Sequence, residues 1–163
     1  MTDFAALYAE RLTTPQAAVA LIPSGAKVAM ALGVGQPPAL LKALADRAEA
    51  RQVGDVNLYY LLSTAIAGET VMRFELTDRI RPHSLFHGAI ERKLEARGIE
   101  EGRRAVWFVP TGFQQTPRVL TREIGVDTLL ATVSPMDAEG YFSLGTNTDY
   151  ALAVSKSAER VIL

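Results

Sequence analysis

Ser134-Pro135-Met136-Asp137-Ala138-Glu139-Gly140-Tyr141-Phe142-Ser143-Leu144-Gly145-Thr146-Asn147-Thr148-Asp149-Tyr150 is dense in turn-forming residues, yet it follows directly on the apolar run Thr128-Leu129-Leu130-Ala131-Thr132-Val133. The run reads as a buried strand, and Ser134 onward as the loop leaving its carboxyl end. In an open α/β sheet that is the edge where ligands bind. Asp137 to Gly140 can close a tight turn and Tyr141 to Leu144 a short extended run. Gly145-Thr146-Asn147 offers backbone N–H groups ahead of a helix, a cradle suited to an anion or carboxylate.

Upstream, the same alternation recurs. Thr13-Thr14-Pro15 fits an N-cap with proline at the first helical position, and Ala17, Ala18, Leu21 and Ile22 supply its apolar stripe. Lys27 to Leu32 is a compact apolar run entering Gly33-Val34-Gly35-Gln36-Pro37-Pro38, after which Ala39 to Ala45 has helical spacing. Val56 to Leu62, Ile80 to Phe86, Ala105 to Val109 and Val161 to Leu163 read as further strands. Helices are expected over Ala89 to Arg97, stopped by Gly98, from Thr116-Pro117 to about Ile124, and from about Asp149 to Glu159. Glu69 to Leu76 is ambiguous. Strands separated by helices imply right-handed crossovers: one α/β domain over residues 1–163, an open, mostly parallel sheet flanked by helices. The loops after Leu32, Val109 and Val133 should then share one edge.

Composition bounds the chemistry. The 163 residues are 48% hydrophobic and 21% charged, with 17 basic against 18 acidic side chains in no blocks. No basic footprint for nucleic acid or an anionic membrane appears. The absence of cysteine removes disulfide, thiolate-metal and cysteine-nucleophile chemistry. With no apolar run near the roughly 20 residues of a membrane span, the expected compartment is the cytoplasm.

Several motifs compete. Gly33-Val34-Gly35 lacks the third glycine of a dinucleotide fingerprint, because Pro38 stands there. The turn is therefore either a bare strand-to-helix connection or a carboxylate or oxyanion site built from the amides around Gly35 and Gln36. His83, His87 and Glu91 have an i, i+4, i+8 spacing, but a strand followed by a helix would keep them off one helical face, so structural histidines are expected and no metal site. Ser143 sits one residue out of register for a G-x-S-x-G elbow. Asp137 and Glu139 read as solvated turn residues rather than an acid/base pair. Gln114, just after a strand, is either a substrate contact or a loop cap, and Trp107 is expected in the core.

Taken together, Ser134-Pro135-x-Asp137-x-x-Gly140-Tyr141-x-Ser143-Leu144-Gly145-x-x-x-Asp149-Tyr150 resembles the signature of the acetyl-CoA hydrolase/transferase family, which includes 4-hydroxybutyrate CoA-transferases. Leu12-Thr13-Thr14, Ile22-x-Ser24-Gly25, Gly35-x-Pro37, Ser84-Leu85-Phe86-x-Gly88 and Phe113 to Leu120 resemble other family segments, so the likeness runs from about Tyr8 to Leu163. It covers the family's N-terminal half. The resemblance implies a CoA-transferase-like fold and ping-pong transfer of coenzyme A from an acyl-CoA to a small carboxylic acid, the alternatives being an acyl-CoA hydrolase of the same fold or a non-catalytic ligand-binding or regulatory module. It implies no permanently bound cofactor, and a nucleophilic glutamate in a C-terminal half to which no position here corresponds. What it assigns to this chain is one wall of the substrate site: Gly33, Val34, Gly35, Gln36 and Pro37, then Gln114, then Ser143, Gly145, Thr146 and Asn147. Gln114-Gln115 and Glu100 to Arg104 depart from the family pattern. Arg160 to Leu163 begins a strand without completing it, so association with the C-terminal half or a second copy is expected.

Overall fold

The structure, a computed structural model, describes residues 3–163. Six strands, β1 (Lys27–Met30), β2 (Val56–Tyr60), β3 (Ile80–Ser84), β4 (Trp107–Phe108), β5 (Thr128–Leu130) and β6 (Arg160–Ile162), form one sheet in the order β4-β3-β2-β1-β5-β6. Every pairing is parallel. From β1 the chain steps outward to β2, β3 and β4, returns across the sheet to β5 on the other side of β1, and ends at β6.

Right-handed crossovers turn that order into two layers. The outward steps put α2 (Pro15–Ala20), α3 (Pro38–Glu49), α4 (Ala65–Glu69) and α5 (Ala89–Glu100) on one face, where Val19, Leu41, Leu44 and Leu94 meet Val28, Met30, Leu58 and Tyr60. The return and the last step put α6 (Thr116–Arg118), its π-helical continuation Val119–Ile124, and α7 (Tyr150–Ser155) on the other, where Leu120, Tyr150 and Val154 meet Ala29, Tyr59 and Leu129. The carboxyl ends of all six strands lie at one edge, so the loops after Leu32, Val109 and Val133 do share it.

Thr14 caps α2, accepting from the Ala17 N–H at 3.2 Å with Pro15 at the first helical position. Helix α1 (Phe4–Arg11), capped by Asp3, was not expected, although Phe4, Leu7, Tyr8 and Leu12 have helical spacing; it buries none of its residues. The ambiguous segment becomes α4 and a 3-10 turn, Phe74–Leu76. Gly98 does not stop α5. It is buried inside the helix, and the end comes at Gly102 (φ +66°), whose N–H donates to the Ile99 carbonyl while that of Arg103 donates to Gly98. This double closure is the Schellman ending, with the left-handed glycine four residues later than expected. A Cβ on Gly98 would lie 2.6 Å from the Arg103 carbonyl oxygen. The helices at Thr116 and Asp149 are also shorter as α-helix than expected.

Trp107 is not core. On the sheet face away from α5 it is half-buried and stacks on His83 at 5.6 Å, which stacks on Tyr59 at 4.5 Å, one ring from each of β4, β3 and β2 in register. His83 Nε2 bonds Asn57 Oδ1 at 2.9 Å, and burial, helped by Arg81, lowers its pKa from 6.5 to about 4. The folded protein therefore resists protonation more than the unfolded chain. The contribution is complete above pH 6.5, is lost as pH falls from 6.5 toward 4, and changes no further below that.

Two outcomes are expected. In urea melts, the unfolding midpoint drops between pH 7 and pH 5, and His83→Gln lessens that drop. Gly98→Ala lowers stability at any pH by about 1–3 kcal/mol, because backbone must move to admit the methyl group.

Candidate functional site at the β1/β5 edge

Between β1 and β5 the connections leave toward opposite faces, which opens the crevice where such folds bind ligands. Here the two sides are laced together. The Thr132 N–H donates to the Gly35 carbonyl at 2.8 Å, and Asn147 Nδ2 donates to the Leu32 carbonyl at 2.7 Å. Asn147 is buried, oriented by the Thr146 hydroxyl, which donates to its Oδ1 at 2.9 Å. Gly35 is closely packed: a Cβ would sit 3.1 Å from those of both Ala31 and Asn147, so its neighbours would have to shift by a few tenths of an ångström to admit it. Beneath them the buried Tyr150 hydroxyl donates to the Met30 carbonyl at 2.6 Å, and burial holds its pKa well above the ordinary range.

The structure thus brings Gly33, Val34, Gly35, Gln36 and Pro37 against Thr146 and Asn147, but it reassigns what each offers. The amides of Gly35 and Gln36, expected to face a ligand, donate to Leu32 and Gly33 in a 3-10 turn. The Gly33 N–H donates to Leu62, that of Gly145 to Ser143 Oγ at 3.0 Å, and that of Asn147 to Leu144. Among the described residues, the amides of Val34 in the first turn and of Leu144, Thr146 and Thr148 in and after the second have no hydrogen-bond partner. The Gln36 side chain is not displayed either. It is buried, its Nε2 donating to the Leu62 carbonyl at 3.1 Å and its Oε1 accepting from Thr64 N–H and Oγ1 at 3.1 and 2.7 Å. Ser143 pins the loop to itself, pairing backbone and side chain with Ser134 at 2.9 Å. Gln114 is exposed on the loop after the edge strand β4, leaning over Gly112, with no hydrogen bond to either turn.

At the loop tip Asp137 acts as the expected turn residue, its Oδ1 accepting from the Glu139 and Tyr141 amides at 3.0 and 2.8 Å. Gly140 (φ +86°) lies under the Phe4 ring, so α1 straps the tip down, with Tyr8 beside Phe142. His83, His87 and Glu91 do not converge: His83 holds Asn57, His87 Nδ1 lies 3.6 Å from Glu95, and Glu91 turns into the core.

Sequence reasoning missed the loop after β2. Leu62 is a non-glycine residue at φ +48°, a conformation that strains an L side chain by about 1–2 kcal/mol. Its neighbour Ser63 donates to Glu91 Oε1 at 2.6 Å, while Glu91 Oε2 accepts from the Gly88 amide at 2.7 Å. The Tyr60 hydroxyl beside Glu91 is buried with no hydrogen-bond partner, and burial, reinforced by Glu91, raises its pKa well above the usual value. Glu91 at the third position of α5 is a readable helix-start signal. Nothing in Leu61-Leu62-Ser63-Thr64 announces a left-handed residue.

The chain belongs to the acetyl-CoA hydrolase/transferase family: the model of that family's N-terminal domain matches residues 2–163. Succinyl-CoA:cyclohexane-1-carboxylate CoA transferase of Geobacter metallireducens is 26% identical over 96% of this chain and 33% of its own length. The 4-hydroxybutyrate coenzyme A transferase of Clostridium kluyveri is 27% identical over 96% and 34%. Among solved structures, RipA from Yersinia pestis is 52% identical with a TM-score of 0.96, over 98% of this chain and 37% of that one. The 4-hydroxybutyrate CoA-transferase of Porphyromonas gingivalis, at 19% identity and a TM-score of 0.72, shows the same fold. The chain spans about a third of the length of these relatives.

Asn147→Ala is expected to cost about 1 kcal/mol, since it removes the hydrogen bond that ties the two loops together and leaves the Leu32 carbonyl with the Gly35 amide as its donor. Thermal denaturation measures it, and an unchanged melting temperature would show that the lacing carries no stability.

Proposed function

We propose that this chain is the N-terminal domain of an acyl-CoA:carboxylate CoA-transferase, of the 4-hydroxybutyrate or acetate type, and forms one wall of its substrate crevice. The observation that carries the reading is the balance of groups at the β1/β5 edge, which offers neutral donors and no free nucleophile. Of the carboxylates in the surrounding loops, Glu91 has both oxygens engaged in the interior. Asp137 caps its turn, Asp149 caps α7 through the Ala151 amide at 3.3 Å, and Glu139 stands at the exposed tip. Lysine and arginine are absent from Gly33 to Pro38 and from Pro135 to Tyr150. That relatives aligning over 96% of the chain are CoA-transferases supports the class of reaction.

In the chemistry the family resemblance implies, a glutamate carboxylate outside this chain attacks the thioester carbonyl and expels coenzyme A thiolate, forming an acyl-glutamyl anhydride. The thiolate then attacks the glutamyl carbonyl, releases the donor carboxylate and leaves a glutamyl-CoA thioester. An acceptor carboxylate takes the coenzyme A by the same steps reversed. Each addition places negative charge on a carbonyl oxygen, and the unpartnered amides of the two turns, Val34 and Thr146 among them, are donors suited to meet it. Water in place of the acceptor would give hydrolysis, which the family's description also covers, so dependence on an acceptor acid separates the two.

The purified 163-residue chain is expected to show no acceptor-dependent CoA transfer. Supplying the remaining two-thirds of the protein restores it, and supplying that part with its nucleophilic glutamate replaced does not. Transfer by the 163-residue chain alone would overturn the assignment of the nucleophile.

A further inference from the structure

We propose that α1 is a docking element whose apolar face is covered by the remaining two-thirds of the same polypeptide; the proposal rests on the reading above that this chain is the N-terminal domain of a longer transferase. Helix α1 has 8 residues and one side-chain cap, Asp3. In water a helix of that length is marginal by itself and persists by packing an apolar face. At about 3.6 residues per turn, Phe4, Leu7, Tyr8 and Leu12 fall within an arc of about 140°. Ala5, Ala6, Ala9 and Glu10 take the opposite side. The sequence therefore supplies the stripe, and the question is what it packs on.

Within this domain the packing is partial. Phe4 lies on Gly140 and Tyr8 beside Phe142, with 6.0 Å between the ring centroids. Even so, Leu7 is 36% exposed, Tyr8 39%, Phe4 43% and Leu12 64%. The middle of the stripe thus rests on the tip of the loop after β5, and its flanks meet solvent. Large apolar side chains left together in that way mark an interaction surface.

Length, place and charge point to one occupant. This chain spans 33% of the Geobacter metallireducens transferase and 37% of RipA, so most of such a protein lies outside it. Helix α1 sits on the loop that forms one side of the β1/β5 crevice, and the proposed reaction needs a glutamate from outside this chain to reach that crevice. The part of the protein that carries it must come against the same edge, where α1 stands. On its polar side α1 carries Glu10 and Arg11, one acid and one base, not the lysine- and arginine-rich face with which a helix lies on a membrane. Covered from outside, α1 is a clamp: Phe4 and Tyr8 hold the loop tip, while Leu7 and Leu12 hold the remainder of the protein.

The test uses the full-length protein that contains this domain, with the photo-cross-linking substitution Leu7→p-benzoylphenylalanine. Irradiation is expected to join position 7 to peptides beyond residue 163 while the product keeps the mass of one polypeptide. A product of twice that mass, joined to a second copy, overturns the choice of occupant. Cross-links confined to residues 1–163, or none, overturn the docking itself. Trypsin gives an independent readout at the Arg11–Leu12 bond. Cleavage there is expected to be about tenfold faster in Leu7→Asp than in the wild type, the change in local opening that the burial of one leucine supports. Leu7→Met keeps the apolar surface and should stay within about twofold of the wild type. A wild type cut as fast as Leu7→Asp overturns the proposal and leaves the CoA-transfer reading standing. A native protein with the intact mass of 163 residues overturns both.

Discussion

The lacing of β1 to the loop after β5 is the constraint on which the rest of the carboxyl edge depends. A sheet in which the chain reverses its direction of travel at β1 leaves that strand's exit turn and the exit loop of β5 heading to opposite faces, with nothing in the topology to hold them at a fixed separation. Two hydrogen bonds supply the separation, Thr132 N–H to the Gly35 carbonyl and Asn147 Nδ2 to the Leu32 carbonyl. Because one of these is backbone to backbone and the other comes from a buried side chain, the glycine turn must close tightly enough to present both carbonyls outward. That is why a Cβ on Gly35 would crowd Ala31 and Asn147 and why its own amide is drawn back to Leu32. The turn's donors are consumed by the closure, and Val34 at the apex escapes because nothing lies above it.

The same logic extends along the edge through buried polar side chains. Gln36 ties the turn after β1 to the loop after β2, Glu91 ties that loop to the start of α5, and Tyr150 ties α7 to β1. Each is a polar group inside the protein, and each has its hydrogen-bonding capacity met by backbone or hydroxyl partners, the condition under which burial stabilises rather than destabilises. The exceptions among the described residues are the Tyr60 hydroxyl, beside Glu91, and His87 Nε2, both buried without a partner. Rigid anchoring of three successive loops fixes the positions of the few groups left pointing outward, which is what a site acting through geometry rather than charge requires.

How much of this was legible follows from what each residue answers to. The six strands and their parallel pairing could be read because buried strands must be continuous apolar runs, as Lys27 to Leu32 and Thr128 to Val133 are, and because helices between strands imply parallel crossovers; the order of the strands in the sheet was not read. Caps at Thr14 and the turn at Asp137 were legible since their partners are three or four residues away. Gly98 misled because a glycine required by a neighbour's carbonyl looks the same in sequence as one required by a positive φ. At the expected site, the glycine turn after β1 and the loop after β5 do meet at one edge, yet Gly35 and Gln36 are structural in their amides, and Gln114 lies apart from the turns. Leu62 was invisible, its strain being set by Gln36 and Glu91, 26 and 29 positions away in the chain. Contacts of that range leave no local pattern.

An apolar, uncharged edge also decides how much its few donors can accomplish. In water an amide N–H facing an oxyanion competes with solvent and contributes little, whereas the same amide in a site from which water is excluded acts at a lower effective dielectric and needs no reorganisation when charge develops. Exclusion needs apolar surface around the donors, and this edge has it: Val34, Leu62 and Phe86 from one side, Tyr141 and Phe142 from the loop that α1 straps down. The strap matters because Gly140 sits under Phe4, so the tip bearing Tyr141 is held by ring packing rather than by the sheet. Exposed aromatics on a pinned loop and an exposed leucine on a strained one have the same physical justification. Their surface stands exposed at this edge, and under the proposed CoA-transfer role a ligand covering it would leave the unpartnered amides of the two turns dry.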